Sequence, residues 1–152
     1  MIKACCGFGH RVVWADIRSS LDDEVGRAIA EGCHIFYTGA QGDFDRLFTE
    51  AVQKAKRKHK DISLICVCPY YTKQIQKNRE YYENHFDEVL IPMALDDVHY
   101  KVAIPKRNEW MVNHSDLVLG YTVRESSGAY VAIEYAKRQG KLVREIASAS
   151  AK

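Results

Sequence analysis

The chain has 152 residues, 47% hydrophobic and 28% charged, with a formal net charge of +2. That length suits one domain around one core, and the balance excludes a disordered chain. So small a basic excess, with a pI of about 8.2, argues against a dedicated nucleic-acid binder, whose basic residues form a strong, clustered surface.

Ile2–Cys6 is the first expected strand, with no charged-then-apolar leader before it. It runs into Gly7-Phe8-Gly9-His10-Arg11. Leu21, Val25, Ala28 and Ile29 recur at helical spacing from about Ser20 to Glu31, and Gly32 ends that helix. His34–Gly39 is the second strand. Phe44, Leu47, Phe48, Ala51, Val52 and Ala55 then form one stripe of the clearest helix, from Asp43 to Lys60. Aspartates open it and lysines close it, as the helix dipole favours. The basic run Lys54–Lys60 reads as a solvated helix end.

Ser63–Pro69 is a fully apolar third strand, Gln76–Phe86 a polar, tyrosine-rich helix, and Glu88–Pro92 the fourth strand. Met93–Ile104 reads as a loop. Pro105 reads as the first-turn proline of a short helix ending at Ser115. Asp116–Tyr121 is the fifth strand. The helix after Ser126 stops at Gly140, and Leu142–Ile146 is the sixth strand. Strands that are apolar throughout, alternating with helices, imply a parallel sheet covered on both faces. The expected fold is α/β: a Rossmann-like three-layer sandwich with a mainly parallel sheet of about six strands. One domain spans residues 1–147, and 148–152 form a frayed tail. No apolar run approaches the ~20 residues of a membrane helix, so a cytoplasmic protein with no membrane partner is expected. The five cysteines are odd in number and lack C-x-x-C spacing. They read as buried reduced thiols, with no metal site.

Ligands of such folds bind outside the carboxyl ends of the strands. Three small-residue loops fall on that edge: Gly7–Arg11, Thr38–Asp45 and Arg124–Ala129. Glycines admit a ligand close to the backbone, and helix starts offer N–H groups and partial positive charge. The candidate ligand residues are therefore Gly7, Gly9, His10, Arg11, Thr38, Gly39, Gly42, Asp43, Asp45, Ser126, Ser127, Gly128 and Ala129. Asp43 and Asp45 also suit helix caps, and Asp45 alternatively suits a ribose hydroxyl. His10 also fits an exposed loop histidine. Lys106, Arg107 and Asn108 would sit in a first helical turn, where cations oppose the dipole. That conflict adds Arg107 and Asn108 as candidates for an anionic partner.

CCGFGHR, YTGAQGDFDRLF, PYY, AIPKRNEWMVNHSDLVLGY and SSGAYVAIEYAKRQGK occur in the order expected of the SLOG superfamily. From about Ala4 to Val143 the chain resembles its YpsA/YoqJ-like bacterial branch. The resemblance implies a Rossmann-like fold with a nucleotide-type pocket. It also implies relatives as varied as the Lonely-Guy phosphoribohydrolases, the DNA-processing protein DprA and nucleotide sensors of phage defence, often as dimers or larger homo-oligomers. Arg107 matches an arginine of the Lonely-Guy enzymes, whose next residue is lysine where this chain has Asn108. Nucleoside deoxyribosyltransferases carry a nucleophilic glutamate that falls on Ala132 here. Glu134 follows two residues later, rotated by about 200° on the helix. A hydrolase would need another carboxylate, with Asp45, Glu125 and Asp43 as candidates.

The expected function is binding of a nucleotide or an NAD- or ADP-ribose-derived ligand, as a sensor or sequestering module, with no cofactor. Amides of the 39–43 and 126–129 loops, with Arg11 and Arg107, would hold phosphate. Tyr70, Tyr71 or Tyr121 would stack on a base. The alternative is a nucleoside 5′-monophosphate N-glycosidase, and the third reading is DprA-like binding of single-stranded DNA.

Overall fold

A computed structural model describes residues 2–70, 73–95, 98–123 and 127–147. Six strands, β1 (Ala4–Gly9), β2 (Ile35–Thr38), β3 (Ser63–Val67), β4 (Glu88–Leu90), β5 (Leu117–Tyr121) and β6 (Leu142–Glu145), form one sheet. Its order is β4-β3-β2-β1-β5-β6, with every neighbouring pair parallel. The chain builds outward from β1 to β4, then returns to place β5 on the other side of β1. The strand order therefore reverses between β1 and β5, where open α/β sheets open a crevice.

Helices α1 (Arg18–Ala30) and α2 (Asp43–Lys56) cover one face. Phe36, Phe44, Phe48, Leu64 and Leu117 fill the core beneath them. Helices α5 (Tyr100–Asn113) and α6 (Gly128–Arg138) cover the other, over Phe8, Met111, Val118 and Ile133. This is the expected three-layer α/β sandwich. No helix among the described residues is long and apolar enough to cross a membrane. All five cysteines are free and buried, and the described residues contain no group of three potential metal ligands.

The glycines of β1 have a packing cause. A Cβ on Gly7 would stand 2.8 Å from the Phe48 ring, and one on Gly9 2.2 Å from Cγ of Phe44. Both rings belong to the apolar stripe of α2 and are fully buried. The missing side chains let α2 seat directly on β1. Gly9→Ala is expected to cost about 1–3 kcal/mol by overpacking, read as a lower urea midpoint at unchanged slope. A cost of a few tenths would mean that Phe44 yields.

Three stretches differ from the sequence reading. The expected 93–104 loop holds a 3-10 turn (Met93–Leu95) and the start of α5, so Pro105 lies inside that helix. Pro105 has no N–H to give the carbonyl of Lys101, a loss that normally ends a helix. Lys106, Arg107 and Asn108 consequently sit in its second and third turns, and the inferred conflict with the dipole does not arise. The expected 76–86 helix is two pieces, α3 (Lys73–Lys77) and α4 (Arg79–His85), broken at Asn78. β4 is only three residues long. In the basic run, Lys54 pairs with Asp22 at 2.8 Å and Lys56 with Asp87.

Candidate functional site

A cleft of about 280 Å³ opens at the carboxyl edge of the sheet, at the β1–β5 reversal. Four segments line it. The end of β1 brings Gly9, His10 and Arg11, and the start of α2 brings Gln41 and Asp45. α5 brings Ile104, Arg107 and Asn108, and the start of α6 brings Ser127, Gly128 and Ala129.

The start of α6 lies at the cleft. Ser127 is its N-cap, and Oγ of Ser127 accepts from the N–H of Tyr130 at 3.0 Å. The first N–H groups of a helix have no acceptor within it. Gly128 and Ala129, the first two residues of α6, line the cleft at the positive end of the helix dipole. A Cβ on Gly128 would meet nothing within 4 Å, so the space above it is empty.

The α2 terminus is different. The N–H of Asp43 donates to the Arg11 carbonyl at 2.7 Å, and that of Phe44 to the His10 carbonyl at 3.3 Å. The N–H of Gln41 donates to Oδ2 of Asp45 at 2.8 Å, and that of Ala40 to Oγ1 of Thr38 at 3.2 Å. The amides of Ala40, Gln41 and Asp43 are thus taken by the protein itself. For these three amides, this corrects the expectation that the 39–43 loop cradles phosphate. Neither aspartate caps α2 either. The N-cap is Gly42, without a side-chain cap, and Oδ2 of Asp43 accepts from the N–H of Val13 at 3.0 Å. Gly42 holds φ of 92°, and a Cβ there would stand 2.6 Å from Cα of Arg11. Both constraints favour glycine. Gly7, Thr38, Gly39, Gly42 and Asp43 do not line the cleft.

Arg107 is the wall's anchor and is only 2% exposed. Its Nε donates to Oδ1 of Asn108 at 2.8 Å. One terminal nitrogen donates to the carbonyls of Val67, at 2.8 Å, and Gly39, at 3.3 Å. The other donates to Oε1 of Gln41. One side chain from α5 thereby ties the ends of β2 and β3. A Cβ on Gly39 would lie 2.9 Å from Cζ of Arg107, so glycine makes room for the guanidinium. Burial pulls the pKa of Arg107 down and nearby Asp45 pushes it up. Its ordinary value is so high that it stays charged.

Among the described residues, Asp45 is the one acidic residue lining the cleft, and it is half-buried. Burial raises its pKa to about 6, against the pull of the Gln41 amide, Arg107 and Arg11. Arg11 is exposed at the mouth. His10 is buried rather than the exposed loop residue that its position suggested. Its Nε2 accepts from the N–H of Val123 at 2.7 Å, which puts the ring proton of a neutral imidazole on Nδ1. The ring also meets Tyr121 edge-on at 6.0 Å. His10 thus ties the end of β1 to the segment after β5.

Glu134 lies outside the cleft and pairs with Lys137 at 3.4 Å, while Ala132 is buried in the core. Tyr70 and Tyr121 do not line the cleft. Glu125, Ser126 and Tyr71, and the 148–152 tail, fall outside the described residues. Gln41 and Ile104 also line the cleft, beyond the residues that the sequence marks. Gln41 belongs to the GAQGD turn, and Ile104 to the stretch expected as a loop.

No family model matches the chain, and no curated protein matches it. Solved structures do. DNA processing protein A (DprA) from Streptococcus pneumoniae superposes with a TM-score of 0.70 at 16% identity, over 99% of this chain and 52% of that one. DprA from Helicobacter pylori superposes with a TM-score of 0.68 at 13% identity, over 99% and 67%. The latter is described as binding single-stranded DNA. The chain spans about half the length of the first of these proteins. At these identities the likeness carries the fold.

Proposed function

We propose that the cleft binds a small phosphorylated ligand of nucleotide type, and that the protein senses or sequesters it. The observation that carries this reading is convergence on one cavity. Gly128 and Ala129 at the start of α6 and the cations of Arg11 and Arg107 line the same 280 Å³, with Asp45 as the single opposing charge among the described residues. Helix ends and guanidinium forks are the groups that hold phosphate. Small-molecule pockets begin at roughly 300 Å³, so the size favours a mononucleotide or an ADP-ribose fragment over an intact dinucleotide. Asp45 then takes a hydroxyl of the sugar. A cytoplasmic setting, a YpsA/YoqJ-like affiliation and a homo-oligomeric assembly belong to the same proposal.

One observation favours a second reading, N-glycosidic hydrolysis. Asp45 lines the cleft with a pKa of about 6, and perturbed carboxyls concentrate at catalytic sites. Against it, the nucleophile's position is Ala132, which is buried. Binding of single-stranded DNA, named for one structural neighbour, finds less support. The basic run 54–60 lies at the far end of α2 from the cleft, and two of its lysines are paired.

Thermal shifts with inorganic phosphate, nucleoside monophosphates, NAD, ADP-ribose and cyclic ADP-ribose test the reading. A ligand at 100 times its Kd adds about 2.7 kcal/mol. A flat response to every compound sinks it. Arg11→Ala keeps the backbone carbonyl that Asp43 uses and removes only an exposed cation. It is expected to weaken the bound compound by about 1.5–3 kcal/mol, the range for charged hydrogen bonds, without changing the apo midpoint. Release of free base, lost in Asp45→Ala, would establish the hydrolase instead.

A further inference from the structure

We propose that Cys66 and Cys68 are a peroxide-oxidisable dithiol whose closure to a disulfide loosens the wall of the cleft. Residues i and i+2 of a strand point to one face, and both thiols lie in the core beneath α1 and α2. Their sulfurs stand 3.8 Å apart. Among the described residues this is the one sulfur–sulfur contact. The thiols of Cys5 and Cys33 donate instead to backbone carbonyls, of Cys6 at 3.6 Å and Ile35 at 3.4 Å.

Two residues along a strand span about 6.6 Å, at the upper edge of the roughly 4.4–6.8 Å that a disulfide bridges. The bridge is therefore formable and strained, and strained bridges are the reducible, switching kind. The thiols are not equivalent. Cys68 directly follows β3 and keeps 6% of its surface, whereas Cys66 keeps none. The hydrogen bond from Cys66 and the nearby Arg107 charge hold the Cys68 thiol below its usual range, against its burial. The same pairing, with burial, pushes Cys66 up.

The chemistry needs only a peroxide. The Cys68 thiolate attacks one peroxide oxygen, breaking the O–O bond, and becomes a sulfenic acid as hydroxide leaves and takes up a proton. The Cys66 sulfur then attacks the Cys68 sulfur, and a second water leaves. Two thiols and one peroxide give one disulfide and two waters, with two electrons passing from sulfur to oxygen.

Val67 lies between the two cysteines, and its carbonyl holds Arg107. Closing the sulfurs to about 2.05 Å must turn the peptide units between them and carry that carbonyl out of place. Arg107 also holds Gly39 and Gln41, so the 39–42 turn loosens with it.

Stoichiometric hydrogen peroxide on the folded protein should reduce the five free thiols by two. The intact mass should fall by the two hydrogens lost, with the bridge mapped to Cys66 and Cys68 and reversed by dithiothreitol. Cys66→Ala should leave a sulfenic acid on Cys68 that dimedone traps, and Cys68→Ala should leave none. Five thiols surviving, or a bridge mapped elsewhere, overturns the assignment. Hydrogen exchange reads the linkage, and no ligand is needed for either measurement. Residues 39–42 should exchange faster in the oxidised form, and equal exchange in both forms overturns the coupling to the cleft.

Discussion

Replacing Arg107 with methionine is expected to lower stability by about 3–5 kcal/mol, the range for removing one partner of a buried charged network. Methionine fills much of the same volume, so the loss is polar rather than a cavity. The carbonyl of Val67 and the side chain of Gln41 lose the donor that satisfies them. A buried acceptor left unmade costs about 1–3 kcal/mol, and two such groups bring the sum into that range. Urea melts measure the loss, and a double-mutant cycle identifies its cause. Gly39→Ala in the wild type puts a Cβ 2.9 Å from Cζ of Arg107 and should be costly. In an Arg107→Ala background the same change meets no guanidinium and should cost little. Equal costs in the two backgrounds would show that Gly39 answers to backbone conformation and not to Arg107. The Arg107→Met variant should also lose ligand binding, because the wall and one cation go together.

The double role of Arg107 marks where the sequence stops being readable. Parallel strands are apolar throughout, so β1, β3 and β5 stand out as short runs. The stripe from Phe44 to Ala55 sets α2 by its own period. These signals are local, and they fix the fold class and the edge where the cleft opens. α5 carries no clean stripe, and Pro105 imitates a start, so its first five residues pass for loop. The partners of Arg107 lie 40 and 68 positions away, and His10 meets Val123 across 113. No local pattern encodes such contacts. The residues gathered at the cleft were therefore legible as a set, while their division between lining and bracing was not. Gly7 and Gly9 show the difference. A G-x-G turn suggests a ligand approaching the backbone, yet these two glycines make room for Phe48 and Phe44. The signal was present in part: glycines at alternate strand positions face one side, and α2 offers two large rings four residues apart.

Asp45→Asn is expected to stabilise the protein by about 2 kcal/mol at pH 7.5 and by nothing near pH 3. The carboxyl's pKa rises from 3.8 to about 6 on folding. The folded chain thus holds this proton more tightly than the unfolded chain, and stability falls as pH rises through that window. Above it the cost is fully present. A shift of that size carries about 3 kcal/mol, reduced here to about 2 because water still reaches part of the side chain. Asparagine keeps an oxygen for the Gln41 amide and sheds the charge. Wild-type stability should therefore rise on acidification from pH 6 toward 4, on top of the other titrations, and the variant should lack that component. A variant less stable than wild type at pH 7.5 would mean that attraction to Arg11 and Arg107 outweighs burial. Phosphate binding separates these possibilities further. Asp45 is the only negative charge lining the cleft among the described residues, so its removal should tighten inorganic phosphate several-fold at pH 7.5. If the carboxylate also accepts a sugar hydroxyl, the variant should gain less for a ribonucleoside monophosphate than for phosphate alone. Equal gains would remove Asp45 from ligand recognition and leave it as a bracing group of the 41–45 turn.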